Sequence, residues 1–264
     1  MTLPTLDHQR ERCNARVDGP AGAPVLVLSN SLGTNWALWD SQMPSLTARF
    51  RVLRYDTRGH GSSPVTAGSY SIAMLAHDVL LLLDAFQVER AHFCGLSLGG
   101  MTGLWLGIHA AERIDRLVLA NTAPRIATPA VWNARIDSVR QGGMQAIADT
   151  VLERWFTAGF RARAPDAVGR IGEMLLATPP DGYVACCAAI RDADQWPGIA
   201  SIRSPTLVIA GTHDVATPAA EGRQMAERVA GARYVELDAA HISNVEAADL
   251  FTAELIGFLG AGSA

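Results

Sequence analysis

The chain has 264 residues, and its 22 basic and 26 acidic side chains give a formal net charge of −4. A hydrophobic fraction of 49% with 18% charged residues is typical of a folded globular protein and excludes an intrinsically disordered one. Every basic residue is arginine, so P-loop, Schiff-base and Ser–Lys chemistry are excluded, and the mild acidity argues against a nucleic-acid partner.

Short apolar runs that end at turn residues alternate along the chain with segments of helical period. The runs predict strands at residues 25–28, 51–55, 91–94, 117–120, 206–210 and 234–237. The helical periods predict helices at residues 72–86, 99–110, 219–229 and 245–259. This alternation predicts an α/β fold, with a mostly parallel sheet covered by helices on both faces.

The alternation stops between residues 124 and 203. This segment has only helical patterns, at residues 130–140, 144–156, 165–177 and 182–193. An all-helical insertion between two strands of one sheet is typical of a cap. We therefore predict a core made of residues 1–123 and 204–264, with a helical cap at residues 124–203.

The strongest functional motif is the string G-L-S-L-G at residues 95–99. It follows a predicted buried strand and opens a predicted helix. This is the setting of a nucleophile elbow, in which a strained turn lifts a serine hydroxyl above the sheet at the N-terminus of a helix. The motif predicts Ser97 as a nucleophile; the alternative is a glycine-rich turn with a capping serine.

A serine nucleophile needs an imidazole base, and the imidazole needs a carboxylate that holds its tautomer. After an elbow of this kind the acid and then the histidine follow along the chain, and only His213 and His241 come late enough. His241 lies between the last predicted strand and the last predicted helix, which favours it as the base. Asp214, in the loop after strand 206–210, is the predicted acid, with Asp238 as the alternative.

An oxyanion hole needs two backbone N–H donors, one from the residue after the nucleophile and one from the first long loop. Leu98 follows Ser97 directly. Leu32 lies in the loop after the first predicted strand and is the predicted second donor. No spacing of histidines and cysteines predicts a metal site, and serine chemistry of this kind requires no cofactor.

The chain resembles the α/β-hydrolase superfamily over essentially its whole length. Residues 56–63, D-T-R-G-H-G-S-S, are similar to its structural D-x-R-G-x-G-x-S turn, in which His60 is a turn residue. A narrower likeness lies in residues 29–35, 94–100, 211–218 and 241–246, which are similar to 3-oxoadipate enol-lactonases. Asn30 and Ser31 stand where many superfamily members carry His-Gly, and this departure favours the enol-lactonases.

The resemblance implies that the substrate is a small anionic lactone that Ser97 cleaves through an acyl-enzyme. Two other functions stay open. A broad carboxylesterase, perhydrolase or non-haem haloperoxidase would use the same triad, and a catalytically silent binding protein could use the same fold. No oligomeric state follows from the sequence.

A substrate carboxylate needs a cation in the site, and arginine is the only fixed cation that this chain offers. Arg135 stands three residues after Trp132, so both side chains lie on one face of a predicted cap helix. We expect these two to bind the substrate. The alternatives are the other cap arginines, at positions 125, 140, 154, 161, 163, 170 and 191.

The expected compartment is the cytoplasm, with no membrane partner. The first twenty residues are rich in charged side chains and lack the apolar core of a secretory signal. The densest apolar run, at residues 79–83, is far shorter than the roughly 20 residues that span a bilayer.

Overall fold

The computed structural model describes residues 13–260, and the seven strands within them form one sheet. The strands are β1 (Ala15–Asp18), β2 (Val25–Ser29), β3 (Arg51–Tyr55), β4 (Ala91–Leu96), β5 (Ile114–Ala120), β6 (Thr206–Gly211) and β7 (Arg233–Leu237). Their order across the sheet is β1-β3-β2-β4-β5-β6-β7, and every neighbouring pair except β1 and β3 is parallel. The predicted α/β fold with a mostly parallel sheet is confirmed.

Eleven α-helices connect or cover these strands in the described part of the chain. They are α1 (Met43–Leu46), α2 (Ile72–Ala85), α3 (Leu98–His109), α4 (Pro129–Gly142), α5 (Ala148–Trp155), α6 (Ala158–Arg163), α7 (Pro165–Ala177), α8 (Pro180–Arg191), α9 (Ala219–Arg228), α10 (Ser243–Glu246) and α11 (Ala248–Gly260). Single-turn 3₁₀ helices lie at Trp36–Trp39, Ala111–Arg113, Met144–Ala146 and Ile199–Ser201. None of these helices has the length and apolar composition needed to cross a membrane.

The sheet is buried on both faces, as the alternation along β5 shows. Leu117 and Leu119 belong to one hydrophobic layer, whereas Val118 and Ala120 belong to the other. Consecutive side chains of a strand point to opposite faces, so a strand that is apolar at every position needs a cover on each side. This explains why unbroken apolar runs predicted the central strands.

Helices α4 to α8 lie between β5 and β6, in the predicted cap segment. Trp155 and Tyr183 from this segment share one hydrophobic layer with Leu96 and Leu98 at the elbow. The division into a core and a cap stays a prediction, and residues 1–12 and 261–264 of the predicted core lie outside the described residues.

Several elements differ from the sequence prediction. The predicted helix at residues 144–156 is wrong as a single element, since the structure has a 3₁₀ helix at Met144–Ala146 followed by α5. β1 was missed because it is a short, half-exposed edge strand whose pairing with β3 is a long-range contact. The short helices α1 and α6 were missed because each is too brief to show a helical period. The predicted helix at residues 245–259 is wrong as a single element, since the chain leaves helical geometry at Ala247 and divides it into α10 and α11.

Candidate active site

Ser97 lies in the turn between β4 and α3 and has a strained backbone. Its φ is +56°, in the left-handed region that a residue with a side chain seldom adopts. The turn is close-packed, because a Cβ on Gly95 would overlap the carbonyl oxygen of Gly99, and one on Gly99 would overlap that of Ser29. The Ser97 N–H donates to the Ala120 carbonyl at 2.9 Å, which ties the turn to β5. Glycines at these positions therefore allow the elbow that holds the serine at the start of α3.

His241 and Asp214 form a buried pair at the carboxyl edge of the sheet. His241 Nδ1 lies 2.8 Å from Asp214 Oδ2, and both side chains are almost fully enclosed. No hydrogen bond joins Ser97 to His241 in the described structure, although both line one cavity. Catalytic contacts of this kind often close only when substrate is bound.

The Asp214 carboxylate accepts several hydrogen bonds besides the one from His241. The donors are the Ala216 N–H at 2.8 Å, the Thr217 N–H at 3.0 Å, the Thr217 hydroxyl at 2.7 Å and the Asn121 amide at 3.0 Å. Burial alone would raise the pKa of Asp214, but His241 and the Thr217 donors outweigh it and lower that pKa to about 2. Asp214 is thus held as a carboxylate that can orient an imidazole.

The alternative acid, Asp238, has a different environment. Its side chain is 91% exposed and bonds to the exposed ring of His213 at 2.8 Å. The two histidine–carboxylate pairs are therefore separate, and only the pair with His241 is buried at the cavity.

The backbone around His241 is held on both sides. The Ala240 N–H donates to Glu246 at 2.9 Å, and the Ile242 N–H donates to the Trp155 carbonyl at 3.1 Å. The buried Glu246 also accepts hydrogen bonds from the Thr157 hydroxyl and N–H, between α5 and α6. Glu246 and Thr157 thus join the His241 loop to the segment between β5 and β6.

The loop after β2 carries the second predicted oxyanion donor. Asn30 is fixed there, since its amide donates to the Tyr55 carbonyl at 2.6 Å and accepts from the Trp39 indole at 2.9 Å. The Gly99 N–H donates to the Asn30 carbonyl at 3.0 Å, which joins this loop to the elbow. The N–H groups of Leu32 and Leu98 have no acceptor among the described residues, so both are free to bind a ligand oxygen.

His60, predicted to be a turn residue, contacts the same loop. Its Nε2 accepts a hydrogen bond from the Gly33 N–H at 2.9 Å, and its Nδ1 lies 3.3 Å from the Arg58 carbonyl. Burial lowers the pKa of His60 to about 4, so the ring is neutral and can accept at Nε2. The D-x-R-G turn therefore supports the loop that contains Leu32.

One cavity, open to solvent, brings most of the predicted site residues together. Ser97, His241 and Leu32 line it, as do Trp132 and Arg135. The other lining residues are Ser31, Ile126, Ala127, Val131, Val151, Arg154, Trp155, Tyr183, Ile190 and Ala216. The walls are mainly apolar, and polar groups are few.

Arg135 and Arg154 both line this cavity, and neither forms an ion pair with a carboxylate among the described residues. Arg135 lies 5.6 Å from the Trp132 ring centroid and donates to the Tyr183 hydroxyl at 3.3 Å. Burial lowers the pKa of Arg154, and the neighbouring charge of Arg135 lowers it further. Two adjacent cations without counter-ions make this part of the cavity suited to an anion. Nothing in the sequence distinguished Arg154 from the other cap arginines.

No group of three or more histidine, cysteine, aspartate or glutamate side chains suited to a metal ion lies within residues 13–260.

Comparison with known proteins identifies the family. A family model for the alpha/beta hydrolase fold matches residues 24–154. The 3-oxoadipate enol-lactonase 2 of Acinetobacter baylyi is 42% identical over 247 residues, covering 94% of this chain and 92% of that protein. The chain belongs to the α/β-hydrolase family.

Solved structures of α/β-hydrolases agree with this assignment. The crystal structure of the enol-lactonase from Burkholderia xenovorans LB400 superimposes with a TM-score of 0.93 at 50% identity, covering 94% of this chain and 96% of that one. A thermophilic esterase from Thermogutta terrifontis, with malate bound, superimposes with a TM-score of 0.88 at 26% identity. The match covers 94% of this chain and 92% of that one. The predicted resemblance to the superfamily, and within it to enol-lactonases, is confirmed.

Proposed function

We propose that this α/β-hydrolase cleaves 3-oxoadipate enol-lactone to 3-oxoadipate, with Ser97 as nucleophile, His241 as base and Asp214 as the acid that orients it. The observation that carries the proposal is a single cavity lined by Ser97, His241 and two arginines without counter-ions. The likeness to enol-lactonases over nearly the whole chain supports the same substrate. The cytoplasmic location expected from the sequence remains a prediction.

Acylation begins when the Ser97 oxygen attacks the lactone carbonyl carbon while His241 accepts the hydroxyl proton. The carbonyl electron pair moves to oxygen, and the N–H groups of Leu32 and Leu98 donate to that oxyanion. Asp214 stabilises the imidazolium that forms, because it is already ionised and bonded to His241 Nδ1. Collapse of the tetrahedral intermediate breaks the ring C–O bond and releases an enolate oxygen, which leaves more readily than an alkoxide.

Deacylation repeats these steps with water. The ring has opened, so the leaving group stays attached to the acyl chain; it takes up the proton of the His241 imidazolium and tautomerises to a ketone. The neutral His241 then removes a proton from water, which attacks the acyl carbon. Collapse of the second tetrahedral intermediate breaks the bond between that carbon and the Ser97 oxygen, and His241 returns the proton to Ser97. The product carries two carboxylates, one from the substrate and one from the cleaved ester.

The two cavity arginines can pair with the negative charge of the substrate's carboxylate. Taking a carboxylate out of water is costly unless the charge is paired, and a guanidinium pairs with it through two parallel hydrogen bonds. Arg135 and Arg154 lie where such an anion would enter, beside the aromatic side chains of Trp132 and Trp155. A flat lactone ring with an anionic arm fits this combination of aromatic wall and cation.

The test compares purified wild-type protein on enzymatically generated enol-lactone with simple p-nitrophenyl esters. We expect kcat/KM for the lactone to exceed that for p-nitrophenyl butyrate by about a hundredfold or more, because binding energy from the carboxylate lowers the barrier. Equal values on both substrates would indicate a general esterase instead. A fluorophosphonate should label the wild type but not Ser97→Ala; absence of labelling in the wild type would indicate a silent binding protein.

A further inference from the structure

The Ser31 hydroxyl is a buried polar group without a partner. The side chain is only 2% exposed and lines the cavity with Ser97 and His241, yet its Oγ has no hydrogen-bond partner among the described residues. Buried hydroxyls are almost always hydrogen-bonded, and an exception at a cavity wall marks a group that a ligand can satisfy. The sequence comparison had already set Ser31 apart, because many superfamily members carry glycine there.

The backbone that carries this hydroxyl is held from several sides. The Ser31 carbonyl accepts from the Thr34 N–H at 3.2 Å and from the Thr34 hydroxyl at 2.8 Å. The next peptide is fixed by the Gly33 N–H bond to His60, and the preceding residue by the bonds of Asn30 to Tyr55 and Trp39. These bonds fix the backbone of the loop, so the Cα and Cβ of Ser31 stay at the cavity wall where the structure places them.

We propose that Ser31 is a further catalytic residue, whose hydroxyl donates a third hydrogen bond to the oxyanion beside the N–H groups of Leu32 and Leu98. The proposal rests on the proposed function of Ser97. The Ser31 side chain and the Leu32 N–H lie on either side of one Cα–C bond, so both can converge on the same ligand oxygen. The hydroxyl proton rotates freely until an acceptor arrives, and the acceptor that develops charge next to Leu32 is the former carbonyl oxygen.

This role differs from ordinary substrate binding. The oxyanion exists only in the tetrahedral states of acylation and deacylation, so a donor aimed at it lowers both barriers and leaves ground-state affinity nearly unchanged. The carbonyl oxygen is common to every ester, so the effect extends to esters that lack a carboxylate. A contact to the substrate's acidic arm would instead act on the lactone alone.

The experiment measures Ser31→Ala and Ser31→Gly beside a control, Ser29→Ala. Ser29 lies two residues earlier, and its hydroxyl bonds to the Tyr55 hydroxyl at 2.7 Å rather than lining the cavity. We expect the two Ser31 variants to lose about a hundredfold in kcat on both the enol-lactone and p-nitrophenyl acetate, with KM within about threefold of wild type. Phenylboronic acid, which adds to a serine as a tetrahedral mimic, should bind Ser31→Ala at least tenfold more weakly.

Thermal stability distinguishes a catalytic role of Ser31 from a structural role. Ser31→Ala breaks no hydrogen bond, so its Tm should equal or exceed that of wild type, whereas Ser29→Ala should lower Tm and leave kcat within about twofold. Retention of kcat within threefold in both Ser31 variants would overturn the proposal, as would a loss confined to the enol-lactone or to KM. If the wild type cleaves only p-nitrophenyl acetate, the proposed substrate fails while the Ser31 comparison is still decided on that ester.

Discussion

The Asp214 carboxylate accepts hydrogen bonds from five donors. These donors stabilise the charged carboxylate, which in turn keeps the His241 proton on Nδ1 and leaves Nε2 free to act as the base. The exposed Asp238 has no comparable set of donors and pairs instead with the exposed His213.

The triad variants should differ in a defined order. Ser97→Ala and His241→Ala should each lose about 10⁶-fold in kcat, and Asp214→Asn about 10⁴-fold, because backbone donors and substrate binding survive the loss of the acid. Steady-state kinetics on the enol-lactone measures all three. Asp238→Asn is the matched control and should stay within twofold of wild type; a larger loss there than in Asp214→Asn would reassign the acid.

The cavity arginines should act on substrate binding. Arg154→Met and Arg135→Met each remove a guanidinium but keep the apolar stem, so KM for the enol-lactone should rise about tenfold or more. Turnover of p-nitrophenyl acetate should remain nearly unchanged, since this ester has no carboxylate. Arg140→Met, at an exposed position of the same helix as Arg135, should leave both substrates unaffected. Equal losses on both esters would mean that the arginines hold the fold of the cavity instead.

At the scale of secondary-structure elements, the segment between β5 and β6 lines the cavity and also bonds to the loop that carries His241. Trp155 ends α5, lines the cavity with its side chain and accepts the Ile242 N–H with its carbonyl. Thr157, two residues later, bonds to Glu246, and Glu246 bonds to the residue before His241. The position of these helices is thus coupled to the position of His241, the proposed base.

Breaking that coupling should lower both stability and rate. Glu246→Gln replaces an anionic acceptor by an amide that cannot accept from Thr157 and Ala240 equally well, so the free energy of unfolding should fall by about 1.5–3 kcal/mol. We expect kcat to fall about tenfold, because small displacements of a catalytic group are costly. Thr157→Val should lower the free energy of unfolding and kcat by similar amounts. The double variant should lose less free energy of unfolding than the sum of the losses in the two single variants. Strict additivity in denaturant titrations would show that the two side chains act independently.

At the scale of the whole molecule, buried histidines make stability depend on pH. His60 has a folded-state pKa of about 4 against an ordinary 6.5, because burial disfavours the charged ring. Between these values the unfolded chain binds more protons than the folded one, so stability is fully present above pH 6.5 and is lost as the pH falls toward 4. Burial also lowers the pKa of His92, which adds a contribution of the same sign.

The contribution of His60 can be isolated by substitution. Urea unfolding of the wild type should show that the free energy of unfolding falls between pH 7 and pH 4. About 3 kcal/mol of that decrease should come from His60. His60→Gln keeps an acceptor for the Gly33 N–H but does not titrate, so its stability should fall less steeply over the same range. An identical slope in the two proteins would show that another group controls the acid transition.

The sequence by itself determined the features that depend on local chemistry. Apolar runs predicted six of the strands, of which β4 is buried along its whole length. Glycines around Ser97 predicted the elbow, since only they fit a turn in which two backbones nearly touch. The order of serine, acid and histidine then reduced seven histidines to two candidates, and the position of His241 after the last strand favoured it as the predicted base. Each of these inferences depends on residue types and on their order and spacing along the chain, which folding does not change.

The tertiary structure alone decided which distant side chains meet. The edge strand β1 forms because β3 offers it a partner, and the helix after His241 breaks at Ala247 beside the Glu246 contact to Thr157, 89 residues earlier. Arg154 became distinct from the other cap arginines only when the cavity placed it beside Arg135, without a counter-ion. The sequence marked Ser31 as a departure from the superfamily pattern, but only the packing showed that its buried hydroxyl has no partner among the described residues. Burial and pairing are properties of the folded chain, and no local pattern in the sequence encodes them.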